Sequence, residues 1–342
     1  MQRFALLLAA AVLIVAAPAA AQGPLPSTPV PSGTTPPSTT TPPAPAPPPA
    51  PAPGTLALTL EKVNGKSAAV LSGQRFRVRG RVTPYVAGQR VVVRVYRGEH
   101  KIASRRVLVK PTADGTRGVF VLGYKTGTPG HLTVRGSHRA TAAQATMVAK
   151  GRGVDVLPLQ ATPGSTGPAV RTLQRKLKSL GYVVGAPGVY DARTGRAVLA
   201  FRKVSGMART VAATTDVLRR MAHGGGRFKV RFPTHGKHVE ADLSLQVLAL
   251  VRGSKVERIY PISSGKPSTP TILGTFKVYS KTPGTNDHGM VYSSYFRGGY
   301  AIHGYAEVPV FAASHGCLRA PVPDAVSIYQ WIDFGDTVDV YN

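Results

Sequence analysis

Ser314-His315-Gly316-Cys317-Leu318-Arg319, with Ile302-His303-Gly304 upstream of it, decides how the chain reads. Cys317 is the only cysteine among 342 residues, so no internal disulfide can form. In an exported chain an unpaired thiol marks a reactive one. A thiol becomes a nucleophile on losing its proton, and a nearby imidazole eases that loss. A third group must then hold the imidazole in one tautomer and orientation. Gly316 permits a tight turn, through which the amides from His315 to Cys317 can converge on one point and hold a developing oxyanion. These residue types suit acyl transfer through a thioester. Other readings stay open at this level. Cys317 could be a small buried hydrophobe, His315 could replace His303 as the base, or His303, His315 and Cys317 could bind zinc. The zinc reading lacks a fourth ligand and any accompanying CxxC or HExxH.

The two blocks together resemble the signature of L,D-transpeptidases of the YkuD-like kind. Ser263-Ser264-Gly265-Lys266 and Thr269-Pro270-Thr271-Ile272-Leu273-Gly274-Thr275-Phe276 resemble that family's early strand-turn-strand segment, and Met290 to Gly304 its substrate-side segment. The resemblance covers roughly residues 235–342. It implies Cys317 as nucleophile and His303 as general base and acid, with the Gly304 carbonyl orienting the ring. In it His315 would support the turn or the substrate, next to the His315 and Gly316 backbone read above as the oxyanion hole, Ser314 would brace the loop, and Arg319 would meet a substrate carboxylate or form a plain ion pair. Met290, Tyr292, Tyr295 and Phe296 would line the cleft or simply pack the sheet. The spacing from His303 to Cys317 is short for the family. The implied reaction joins peptidoglycan stem peptides by 3→3 cross-links and needs neither metal nor organic cofactor. Its rivals are hydrolysis of the same thioester (an L,D-carboxypeptidase), attachment of a protein to the wall, and a non-catalytic wall-binding protein.

Composition sets the setting. Lys+Arg number 43 against 15 Asp+Glu, a formal net charge of +28. Such a balance suits nucleic acid, anionic wall polymers or lipid head groups, and the compartment decides among them. Residues 1–21 read as a signal peptide: Arg3, an apolar run from Phe4 to Ala17, and small residues Ala19-Ala20-Ala21 before the cut. An uncleaved N-terminal anchor is the alternative. Either places the protein outside the cytoplasm, in the cell wall or periplasm, and excludes nucleic acid as the expected partner.

The expected architecture is multidomain: an immunoglobulin-like β-sandwich, a small three-helix bundle and a mostly-β catalytic domain. Residues 22–54 are a Pro/Thr/Ala-rich linker without a charge, which cannot bury a core. Residues 55–157 carry short alternating runs punctuated by turns, Asn64-Gly65 among them, which argue an antiparallel sandwich. Within it Arg75, Arg77, Arg79 and Arg81 alternate with apolar residues, forming a solvated face or a dock for anionic polymer. His100, His131 and His138 read as surface residues. Residues 160–222 have helical periodicity, with Pro168 in a first turn and Asp191 and Thr214 or Thr215 as caps. This unit resembles a peptidoglycan-binding-like domain, except that Ala208-Arg209-Thr210 replaces the usual Asp-Gly. Ala222 to Gly226 reads as a glycine hinge. Residues 227–342 read as strands, the first over Phe228 to Phe232, plus a helix from Pro323 to Trp331 burying Val326, Ile328, Tyr329 and Ile332.

Overall fold

The computed structural model describes residues 49–61, 63 and 68–342. The expected signal peptide, most of the linker and the Asn64-Gly65 turn lie outside the described residues. Residues 50–342 form one compact unit. Among the described residues no helix is long and apolar enough to cross a membrane.

The first ten strands are β1 Thr55–Glu61, β2 Ala69–Leu71, β3 Arg75–Thr83, β4 Arg90–Arg97, β5 His100–Leu108, β6 Lys110–Pro111, β7 Gly118–Lys125, β8 Gly130–His138, β9 Met147–Val148 and β10 Arg152–Leu157. They form two sheets, ordered β1-β3-β7-β6 and β2-β10-β8-β4-β5, with β9 on β8. Alternation explains the layers, since successive side chains face opposite sides of a strand. Phe76, Val78 and Val82 from one sheet share an apolar core with Val91, Val93, Leu132 and Val156 from the other. Two expectations fail here. β2 pairs parallel with β10, so the sheets are not wholly antiparallel. His138 is buried, its Nδ1–H donating to the Arg90 carbonyl at 3.0 Å.

Three helices follow: α1 Pro168–Ser179, α2 Ala192–Val204 and α3 Thr215–Ala222. Asp191 caps α2, accepting the Thr194 amide at 2.8 Å. Thr214 holds the N-cap position of α3 without capping it, its hydroxyl accepting from the Arg202 guanidinium at 3.0 Å, while the Thr215 hydroxyl donates to the Leu159 carbonyl.

The C-terminal strands are β11 Lys237–Asp242, β12 Val247–Arg252, β13 Lys255–Pro261, β14 Gly274–Lys277, β15 Ser280–Thr285, β16 Val291–Arg297, β17 Tyr300–Tyr305, β18 Leu318–Pro321 and β19 Thr337–Tyr341, with helix α4 Val322–Trp331 before the last. They form sheets ordered β13-β12-β11-β19-β14 and β15-β16-β17-β18. β12 is apolar on both faces for a reason. Val247, Ala249 and Val251 join the core of the three helices, whereas Leu248 and Leu250 face β17, β18 and α4. The helical unit and the catalytic sheet therefore share one apolar core.

The glycine segment before this sheet, expected as a hinge, is tightly packed at Gly226. Gly226 has φ +78°, and a Cβ there would lie 2.0 Å from the Phe201 ring. Its carbonyl accepts the Tyr182 hydroxyl at 2.6 Å. Residues 228–232 are not a strand. The amides of Arg231 and Phe232 donate instead to the buried Glu240 carboxylate, at 2.8–3.0 Å. α4 buries Asp324, Ala325 and Ile328, with Ile332 just beyond it, and leaves Val326 exposed and Tyr329 half-buried. The inner stripe starts at Asp324 because that carboxylate, 2% exposed, receives Arg193 at 2.7 Å and Arg196 at 3.1 Å from α2.

Asp324→Ala removes the anion shared by two half-exposed arginines. It should cost about 2 kcal/mol, below the usual cost of breaking a fully buried pair because both cations can reach water. Denaturant unfolding measures this, and an unchanged midpoint would contradict the ion-pair assignment.

Candidate active site

β17 carries His303, and β18 lies parallel to it with His303 beside Arg319. Cys317 immediately precedes β18 and is half-buried. Two-residue alternation then puts Cys317, Arg319 and His303 on one face of the pair. Arg319 acts electrostatically on both His303 and Cys317.

The imidazole is buried, and its Nδ1 lies 2.9 Å from the Gly304 carbonyl. A carbonyl only accepts, so Nδ1 carries the proton and Nε2 of the neutral ring keeps a lone pair. Gly304 must be glycine for a second reason. A Cβ there would stand 2.6 Å from the Ala325 side chain of α4. Burial pushes the His303 pKa down to about 4; the Gly304 bond opposes the shift and the Arg319 charge adds to it. Burial pushes the Cys317 thiol up, against the pull of the Ala301 amide and of Arg319. Near neutral pH both partners are therefore uncharged at rest, and the thiol donates to the Gly299 carbonyl at 3.4 Å.

The loop around Cys317 is held from several sides. The Ser314 hydroxyl donates to the Cys317 carbonyl at 2.6 Å and accepts the Gly316 amide at 3.1 Å. That occupies one of the three amides expected at an oxyanion hole. The His315 and Cys317 amides have no partner among the described residues. Gly316 has φ +119°, and a Cβ there would lie 2.7 Å from the Tyr300 ring, so only glycine fits. Thr271 donates to the Gly316 carbonyl at 2.7 Å and accepts the Gly265 amide at 2.8 Å. His315 is on the outside, its Nε2 3.2 Å from the Lys266 ammonium.

The expected cleft residues separate. Tyr292, with φ 55°, leans on Tyr329 of α4 at 5.2 Å between ring centroids. Phe296 is a core residue, 3% exposed, packed on Phe276 and Tyr300. The amide of Met290 bonds to Asn286 in the turn between β15 and β16. The side-chain amide of Asn286 also donates to the Tyr295 hydroxyl at 3.4 Å. Tyr305 takes a place that sequence reasoning missed. Its ring stands edge-on to His303 at 5.7 Å, and the Arg319 guanidinium lies 4.1 Å from its centroid. Its position two residues after His303 on one strand was the available signal.

Two further residues of the helical unit support this region, Arg209 directly and Lys203 through Gln246. Arg209 donates to the Val310 carbonyl at 2.7 Å and to the Ser244 carbonyl at 3.0 Å. Lys203, buried at the end of α2, donates to the Gln246 and Ile262 carbonyls, each at 3.0 Å. Burial pushes that amine down to about 7. The Gln246 side chain in turn holds Ser264, whose carbonyl accepts the Ala313 and Ser314 amides. Arg209 occupies the position where a glycan-contact loop was expected to carry Asp-Gly. Its guanidinium is spent on the catalytic loop.

Residues 236–340 match the L,D-transpeptidase catalytic domain family, YkuD. A solved L,D-transpeptidase from Xylanimonas cellulosilytica is 33% identical over 54% of this chain and 98% of that one, at a TM-score of 0.49. The chain belongs to the L,D-transpeptidase family. Residues 166–221 match the peptidoglycan binding domain family. The L,D-transpeptidase catalytic domain from Enterococcus faecium, solved by NMR, is 28% identical over 32% of this chain and 98% of that one, with a TM-score of 0.29. A crystal structure of an E. faecium L,D-transpeptidase mutant is 25% identical over 31% of this chain and 50% of that one, with a TM-score of 0.28. This L,D-transpeptidase thus spans about half the length of that relative. A search of curated proteins finds no match.

Two outcomes follow from this geometry. Arg209→Ala frees the Val310 and Ser244 carbonyls at a partly solvated site. Amide exchange in residues 305–313 should rise several-fold while the melting temperature moves by only a few degrees, and unchanged exchange would show that Arg209 does not hold the loop. Second, the folded His303 takes up a proton less readily than the unfolded one, whose pKa is the ordinary 6.5. Between pH 6.5 and about 4 the unfolded state binds more protons, so stability falls as pH falls through that window. His303→Gln should flatten that part of a pH–stability curve; an identical slope in the variant would refute the shift.

Proposed function

We propose that this L,D-transpeptidase is an exported acyltransferase that forms 3→3 cross-links between peptidoglycan stem peptides through a Cys317 thioester. The observation that carries this reading is the pinned His303 ring. Its Nδ1 proton is committed to Gly304, which leaves a basic Nε2 on the strand beside the chain's only thiol. Peptidoglycan is the partner that both family matches imply.

In this reading Cys317 and His303 start neutral. As the sulfur attacks the carbonyl of the third residue of a tetrapeptide stem, its proton passes to His303 Nε2. The amides of His315 and Cys317 hold the oxyanion, and Arg319 offsets negative charge beside them. Collapse of the tetrahedral species breaks the bond to the terminal D-alanine, whose nitrogen takes the proton back from His303. The side-chain amine of a second stem then attacks the thioester and gives a proton to His303, which returns it to the departing sulfur. Proton shuttling of this kind contributes about 10²–10⁴-fold. A low-pKa imidazole suits the first step as a base that is never blocked by a proton at neutral pH, and suits the second as a strong acid once charged.

The remaining assignments belong to the same reading. The domain limits are 55–157 for an immunoglobulin-like sandwich, 160–222 for the wall-binding helices and 227–342 for the catalytic domain. Residues 1–21 would serve as the export signal, ahead of the 22–54 spacer. Water in place of the second amine would make the enzyme an L,D-carboxypeptidase.

Incubation of the purified chain with disaccharide-tetrapeptide should give the cross-linked dimer and free D-alanine by mass spectrometry. Cys317→Ala should lose product and the single carbapenem adduct, while still sedimenting with insoluble wall. Tripeptide without dimer would establish hydrolysis instead, and product from the alanine variant would defeat the thioester.

A further inference from the structure

The face of β3 turned away from the core carries Arg75, Arg77, Arg79 and Arg81, all exposed, while Phe76, Val78, Gly80 and Val82 between them are buried. Alternate residues on a strand repeat every ~7 Å, so the four arginines leave the strand as a ladder at that spacing. The strand is interior to its sheet, between β1 and β7, so its backbone is fully paired and the platform is rigid. The flanking outward positions are small or neutral except Glu61 and Lys125. Ala57, Thr59 and Glu61 stand on one side, and Val119, Val121, Gly123 and Lys125 on the other. Gly123 leaves room for Arg75 to lie across the sheet, its guanidinium 3.2 Å from where a Cβ would stand.

Among the described residues Glu61 is the one acid on this face, and it binds Arg79 alone. Like charges at this spacing lie inside the ~10 Å screening length of 0.1 M salt. A surface shaped by stability alone would intersperse the two signs. The ladder works against folding and gains from an anion that runs along it. Arginine also differs from lysine in offering a flat fork that takes two oxygens of one phosphate.

We propose that the outer face of β3 binds an extended wall polymer of polyol units joined by phosphodiesters, one anionic group to each arginine. The ladder matches a chain that carries a single negative charge per repeat. No outward residue of the face is aromatic, so there is no platform on which a nucleic acid could stack its bases. Among the described residues of this face Val121 is the one large apolar side chain left exposed, too little to insert into a lipid surface. The β-sandwich would thereby hold the enzyme to a second wall component, independently of peptidoglycan and of Cys317.

The test uses the full chain and a poly(glycerol phosphate) of defined length, titrated at several salt concentrations. Four phosphate contacts at ~0.7 released counterions each predict a log–log salt slope near ~3 for the dissociation constant. The variant R75Q/R77Q/R79Q/R81Q should bind more than tenfold more weakly, with the slope largely abolished and the melting temperature unchanged or raised. K101Q/R105Q/R106Q/R139Q removes the same charge from exposed positions elsewhere on the sandwich and should bind as the wild type does. Wild-type affinity in the first variant, or an equal loss in the second, would overturn the site. Equally tight binding of duplex DNA or of a polyuronate would overturn its selectivity for phosphodiesters.

Discussion

The hydrogen bond from His303 Nδ1 to the Gly304 carbonyl fixes what the rest of the site can do. It sets the tautomer, and with it the atom that can accept a proton. A peptide carbonyl serves here where other cysteine enzymes use a side-chain amide or carboxylate. The carbonyl adds no full charge, so nothing raises the imidazole strongly against its burial. The thiol is pushed in the opposite sense. The two groups therefore rest as a neutral thiol and a neutral imidazole, and not as a standing ion pair. A buried ion pair would carry a desolvation cost that this arrangement avoids.

Holding that pair in register is the work of the surrounding chain. The Cys317 loop carries no regular structure of its own, and its carbonyls and amides are tied down by Ser314, Thr271 and the Ser264 backbone. The ties extend into the helical unit through Gln246 to Lys203, and through Val310 to Arg209. The core shared across β12 makes these contacts possible. A unit whose family binds peptidoglycan is thus also part of the wall of the catalytic domain.

Much of this was legible in the sequence, and what escaped it is instructive. The family was readable from the blocks around His303 and Cys317, because glycine, histidine and cysteine at fixed spacings have few structural uses in common. The α1 stripe and the Asp191 cap were readable from periodicity and local chemistry. Phe296 was not, because an aromatic on a strand looks the same whether its face meets a cleft or a core. Residues 228–232 look like a strand, yet their amides go to Glu240, a partner that no local pattern announces. Val326 and Asp324 traded places on α4 because two distant arginines make a buried carboxylate affordable. Arg209 looked like a defect in a glycan loop, and its partner lies in another part of the chain. In each case the missing information was tertiary.

The most direct measurement is the ¹⁵N NMR signature of the His303 ring across a pH titration of the full chain. The account predicts a protonated Nδ1 and a pyridine-like Nε2 at neutral pH, titrating only as the pH approaches about 4. An imidazolium at neutral pH, or the tautomer with its proton on Nε2, would contradict it.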